Sequence, residues 1–221
     1  MALYIDSAFL HDITEVAKTV PLAGVTTNPS ILLAARERGQ RLEPQDLLPE
    51  LLRCQGGMVF MQPGATDEEG MYAQALSYIQ VDVARVMPKI PITNVGMRVA
   101  LRLQAQGYHF AMTAVTSVAQ AYTAALAHAD FIIPYYNRLE RCGIDAPNRV
   151  AKMAQLLRNQ QLSTRIMASS IKTSVEAASA LMAGSHDLTV PTQVLLEMLT
   201  DELTEQAVEK FSQDWQKMKR M

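Results

Sequence analysis

The feature that most constrains this chain is an alternation. Short β-prone runs recur along it, each followed by a stretch with helical spacing. We place the runs at 2–6 (ALYID), 22–26 (LAGVT), 58–62 (MVFMQ), 83–90 (VARVMPKI), 109–114 (HFAMTA), 130–134 (DFIIP), 164–168 (TRIMA) and 186–190 (HDLTV). Strands that alternate with helices build parallel sheets, because a parallel return needs a crossover long enough to carry a helix. Eight such units predict an α/β fold of one kind, a closed (β/α)8 TIM barrel, in preference to an open doubly wound sheet.

A length of 221 residues suits one such barrel, and no linker or low-complexity tract marks a second domain. We assign residues 1–200 to the barrel and 201–221 to an additional C-terminal helix. In DELTEQAVEKFSQDWQKMK, Leu203, Ala207, Phe211, Trp215 and Met218 fall on one face at spacings of three and four. A closed barrel already has its ring of helices, so this stripe is expected to pack on the barrel or on a neighbouring subunit. Another helix start is legible at Asp67, where the acids of TDEEGMYAQALSYI suit the positive end of a helix dipole.

Lys+Arg 20 against Asp+Glu 22 gives a formal net charge of -2, without the basic surface that binding a phosphate backbone requires. Nucleic acid is therefore not an expected partner. No stretch approaches the roughly 20 apolar residues of a membrane span. The opening MALYIDSAFLHD lacks the basic start and long apolar run of a secretion signal. Cys54 and Cys142 form neither a Cys-x-x-Cys motif nor a disulfide framework. We expect a cytoplasmic protein with no membrane partner.

None of the 10 glycines forms Gly-x-Gly, and no phosphate-cradling Gly-Lys-Ser/Thr loop is present. His11, His109, His128 and His186 stand singly, without metal-ligand spacing. The lysines are more informative. Lys18, Lys152, Lys210, Lys217 and Lys219 lie in polar helical contexts and Lys172 follows a strand end, whereas Lys89 sits in the apolar run RVMPKIPIT. A lysine pointing into a barrel loses hydration, its pKa falls, and the neutral amine becomes a nucleophile able to form a Schiff base. Two other arrangements fit the same pattern: a side chain that snorkels out of the barrel mouth, or one paired with Asp6.

Short polar side chains gather at strand C-termini, the end of a barrel where the βα loops converge on the active site. Asp6 ends the first run, and Thr26, Thr27 and Asn28 follow the second in GVTTNPS. Gln62, Thr113 and Ser170 hold equivalent places on runs three, five and seven. The Thr-Thr-Asn-Pro-Ser string also reads as a plain helix cap, with Pro29 at the first turn.

The strings PLAGVTTNPSI, KIPIT, TAVTSVAQA, PYYNR, ASSIKT and FSQDW occur in order along nearly the whole chain and resemble the small transaldolase family, most of all its fructose-6-phosphate aldolase branch. The resemblance implies a class I aldolase barrel that uses no metal or other cofactor. By it, Lys89 is the Schiff-base lysine, Asp6 and Asn28 hold substrate hydroxyls and orient the lysine, and Thr26 lines the same pocket. Gln62, Thr113 and Tyr135 match positions that hold the catalytic water and transfer protons. Arg138 and Ser170 match the phosphate-binding pair, a role suited to the guanidinium fork, although Arg138 alone reads equally as a surface partner of Glu140. The implied reaction is reversible cleavage of fructose 6-phosphate to dihydroxyacetone and glyceraldehyde 3-phosphate. The implied assembly is a ring-shaped homo-oligomer, a pentamer or decamer.

Departures from the pattern bear on the chemistry. Gln62 stands where the transaldolase pattern carries glutamate and Tyr135 where it carries phenylalanine, which favours release of dihydroxyacetone; transfer of that unit between sugar phosphates is the alternative. Pro88 replaces an apolar β-branched residue, and proline cannot donate to a strand ladder, so strand four is expected to bulge or shift there. A barrel that binds sugar phosphates without turning them over is the third reading. The stretch 139–148 (LERCGIDAPN) lacks the glycine-rich run of the aldolase branch, and Met61 and Pro63 flank Gln62 atypically.

Overall fold

The computed structural model describes residues 1–220; Met221, which ends the expected C-terminal segment, lies outside them. The strands are β1 (Ala2–Asp6), β2 (Gly24–Thr26), β3 (Met58–Met61), β4 (Val86–Pro91), β5 (Ala111–Val115), β6 (Phe131–Pro134), β7 (Arg165–Ala168) and β8 (Asp187–Val190). They pair in chain order, all parallel, and β8 closes on β1 through registers such as Leu3↔Leu188. The fold is a (β/α)8 barrel, and each strand ends within one residue of the end expected from sequence.

The helices are α1 (Leu10–Val16), α2 (Pro29–Glu37), α3 (Pro44–Cys54), α4 (Glu68–Ile79), α5 (Asn94–Ala105), α6 (Val118–Leu126), α7 (Tyr136–Arg141), α8 (Ala146–Asn159), α9 (Ser174–Met182), α10 (Thr192–Glu197) and α11 (Glu202–Met218). Several begin on a side-chain cap: Asn28, Asp67, Thr93, Ser117, Asp145, Thr173 and Asp201 each accept from a backbone N–H of the first turn. These caps fix where each of these helices begins. None of the described helices is long and apolar enough to cross a membrane.

Alternation along each strand sorts the core into two shells. Outward residues such as Ile5, Val25, Val59 and Ile90 pack under the helices, while Tyr4, Phe60, Met87, Ala111, Phe131, Ile133 and Met167 fill the barrel. Phe60 stacks edge-on against both Tyr4 and Phe131, with ring centroids 5.3 Å apart in each pair. At the N-terminal end Arg165 grips the fully buried Asp187 with two N–H···O bonds of 2.7 Å. The charges of this pair are thus satisfied by each other within the barrel wall. Close packing of β2 on β3 depends on Gly24, whose φ is +152° and where a Cβ would sit 2.0 Å from the Met58 carbonyl oxygen.

The expected disturbance of strand four does not occur. β4 runs unbroken, pairing with β3 as far as Met61↔Pro88 and with β5 from Lys89↔Ala111. The proline therefore falls where the pairing passes from one neighbour to the other, and its missing donor leaves the strand continuous. The register shift lies instead between β5 and β6, beside Ala114, which holds a left-handed φ of 59°. Helix α11 buries no residue, and Leu203, Phe211, Trp215 and Met218 of its stripe are all more than half exposed.

Candidate active site

Lys89 projects into the barrel two residues beyond the interior Met87 and is 1% exposed. Its Nζ donates to the main-chain carbonyl of Thr27 at 2.9 Å. Burial pushes its pKa below the ordinary lysine value, and the Asp6 carboxylate opposes that shift without forming an ion pair with it. Neither alternative arrangement of this lysine is adopted. It does not snorkel, and its direct partner is an uncharged carbonyl that an amine and an ammonium can both satisfy.

Asp6, at the end of β1, is pushed the other way, above the usual carboxylate range by burial, against the opposing pulls of Lys89, the Thr26 hydroxyl and Lys172. Thr26 Oγ1 donates to Asp6 Oδ1 at 2.6 Å and also lies 2.5 Å from Thr189 Oγ1 on β8. Thr27 turns outward, donating to the Phe60 carbonyl at 3.0 Å and contacting Met61 Sδ at 3.2 Å. Asn28 does cap a helix, its Oδ1 accepting from Ile31 N at 3.0 Å. Its side-chain amide nitrogen makes no hydrogen bond with the described residues.

Thr113 lies within β5 rather than at its end and faces inward, two residues from Ala111. Gln62 follows β3 and also borders a groove lined by Pro29, Leu32, Gln74 and Tyr78. Thr113 Oγ1 and Gln62 Oε1 are buried and have no hydrogen-bond partner among the described residues. A buried polar atom without a partner is costly to maintain, so these two mark positions built to engage something other than the chain itself.

The other side of the same rim is formed by the loops after β6 and β7. Tyr135 bridges to Ser169, and Tyr136 N and Asn137 N donate to the carbonyls of Ser169 and Ser170 at 2.9 and 3.2 Å. These bonds bring Arg138 and Ser170 onto adjoining loops. Arg138 is exposed, makes no ion pair among the described residues, and stands 5.2 Å from the Tyr135 ring centroid. Glu140 is not its partner, since Glu140 Oε1 accepts from Ala146 N. Ser170 has a left-handed φ of 59°, a strained backbone for a residue with a side chain.

Two groups at this end were given no role by the reading of the sequence, Lys172 although it was noted at a strand end and Thr189 because it was not singled out. Lys172 contributes positive potential at Asp6, and its position two residues after Ser170 was the available signal. Thr189 is fully buried, and its place two residues after Asp187 puts it on the same inward face. Among the described residues, no three His, Cys, Asp or Glu side chains come together as a metal-ligating group.

A closed parallel barrel with a desolvated lysine and a carboxylate near its C-terminal mouth has the form of the (β/α)8 barrel enzymes, whose active sites lie at that end. The family model described as transaldolase/fructose-6-phosphate aldolase matches residues 3–221, and the chain belongs to that family. It is an enzyme of the aldolase and transaldolase group, within the small transaldolases, and sugar phosphates fit it as substrates.

Proposed function

We propose that this chain is a class I aldolase that reversibly cleaves fructose 6-phosphate into dihydroxyacetone and glyceraldehyde 3-phosphate. The observation that carries the reading is Lys89 itself, buried and bonded to the Thr27 carbonyl, with its pKa lowered by desolvation. Desolvation disfavours the ammonium, and the neutral amine is the nucleophile.

The Lys89 amine adds to the ketose C2 carbonyl, and loss of water leaves an iminium. The C3–C4 bond then breaks, its electron pair moving toward the iminium nitrogen to form an enamine. Asp6 takes the C4 hydroxyl proton as that oxygen becomes the aldehyde of glyceraldehyde 3-phosphate. It suits this task because the other carboxylate on an inward strand position, Asp187, is tied to Arg165 at the far end of the barrel. Protonation of the enamine at C3 and hydrolysis of the iminium release dihydroxyacetone and restore the amine. Gln62 and Thr113 position the water through their unpartnered atoms, and the Tyr135 hydroxyl supplies the proton. Thr26 and Asn28 contact the substrate hydroxyls. Arg138 and Ser170 hold the phosphate, with Lys172 adding positive charge on the same rim.

Release rather than transfer is favoured by Gln62, whose amide orients a water but cannot exchange a proton with it. Incubation with fructose 6-phosphate alone tests this. Free dihydroxyacetone is expected without any acceptor, whereas product formation that waits for erythrose 4-phosphate would assign the protein to the transaldolases.

The exposed apolar stripe of α11 supports a homo-oligomer in which this helix lies on another copy of the chain. A ring of five, or two such rings, satisfies that arrangement. The unpaired Cys54 and Cys142 suit a reducing cytoplasm.

A further inference from the structure

The Asp6 carboxylate is not held by Thr26 alone. β1 lies between β2 and β8 in the barrel, so Thr26 and Thr189 meet across the inner face of β1, next to Asp6. We propose that Thr189 is a positioning residue that acts through Thr26 to hold Asp6 in place as the proton acceptor of the reaction. This rests on the reading of Lys89 and Asp6 given above.

Proton counting gives the chain its direction. Thr26 Oγ1 lies 2.6 Å from Asp6 Oδ1 and 2.5 Å from Thr189 Oγ1, yet a hydroxyl has one proton to give. A carboxylate only accepts, so the Thr26 proton goes to Asp6 and Thr26 accepts from Thr189. Thr189 is fully buried and has no other hydrogen-bond partner among the described residues. Its proton therefore has one destination. The chain runs Thr189 to Thr26 to Asp6, and each bond polarises the next. Reversing it, as a proton on Asp6 pointing to Thr26 would demand, strands the Thr189 proton without an acceptor. Thr189 thereby favours the form of Asp6 able to take the C4 hydroxyl proton and keeps the Thr26 hydroxyl turned toward it.

The charges around Asp6 are Lys89 from β4, Lys172 from beyond β7, and the Arg38–Asp12 pair across a groove that Asp6 also lines. None of them bonds to Thr189, so a change there alters the hydroxyl chain and leaves these charges in place.

Thr189→Val keeps the side-chain shape and removes the donor. We expect kcat for fructose 6-phosphate cleavage to fall about 3- to 10-fold, the weight of one hydrogen bond, with KM changed less than about twofold. The acid limb of the kcat profile should move to higher pH. Reductive trapping of dihydroxyacetone on Lys89 removes no C4 proton, so its rate should stay at the wild-type level. Thr189→Ser should restore both kcat and the acid limb, and Thr189→Ala should repeat the valine result if valine does not fold. Unchanged cleavage and pH profile in the valine or alanine variant would overturn the proposal. So would loss of trapping in step with cleavage, or failure of serine to rescue. If the wild-type protein itself is not trapped, the functional reading fails and the proposal falls with it; a trapped wild type with a silent Thr189→Val sinks only the proposal.

Discussion

Lys89 Nζ donates to the main-chain oxygen of Thr27 across 2.9 Å. That bond satisfies one N–H and neutralises no charge. A lysine partnered this way is better accommodated as an amine than as an ammonium, which links its burial to its chemistry and to its cost in stability.

The cost has a sign. Burial holds Lys89 below 10.5, the ordinary lysine value, so between those limits the unfolded chain binds more protons than the folded one. Stability therefore rises with pH across that window, and the penalty is fully present below the folded-state value. Lys89→Met should raise Tm at about pH 7, where about 1 kcal/mol corresponds to 2–4 °C for a chain of this size. The gain should shrink as pH approaches 10.5. Calorimetry that finds the variant less stable at neutral pH would contradict this account of the buried amine.

Arg138 is exposed and makes no ion pair among the described residues, so its removal should leave folding nearly untouched while weakening phosphorylated substrates. Loss of one charge-assisted contact, about 1.5–3 kcal/mol, predicts at least a roughly tenfold drop in kcat/KM for fructose 6-phosphate relative to a substrate without phosphate. Equal losses for both in Arg138→Ala would make the residue structural.

Gln62→Glu and Tyr135→Phe bear on the fate of the enamine. A carboxylate at 62 can exchange protons with the bound water, and phenylalanine at 135 removes a donor. Each change should raise transfer to erythrose 4-phosphate relative to free dihydroxyacetone release. Partition ratios that stay at the wild-type value would mean that both residues serve only packing.

The stripe on α11 predicts that deletion of residues 201–221 lowers the assembly mass in sedimentation. A full-length chain that sediments as a monomer at micromolar concentration would remove the oligomer from the account.

Much of this was legible in the sequence because strands and helices leave different periodicities. Lys89 announced itself as a cation in an apolar run, and Asp67 as the start of α4, whose first turn it caps. Helix α3 is less sharply marked, because it carries two prolines. Pro44 sits in its first turn, where a missing N–H is harmless, and the amphipathic set Leu47, Leu48, Leu51 and Leu52 carries it past Pro49. Pro88 misled in the opposite direction, since one-dimensional reasoning cannot tell at which residue a strand's pairing passes between neighbours. Thr189 was hidden for a related reason. In the short run HDLTV nothing separates an inward hydroxyl from an outward one until Asp187 and Arg165 set the register.

The most direct test is borohydride reduction of the wild-type protein with dihydroxyacetone, followed by mass spectrometry of its peptides. The account predicts one covalent adduct, on Lys89, absent from Lys89→Met. An unmodified protein, or an adduct on another lysine that persists in Lys89→Met, would contradict it.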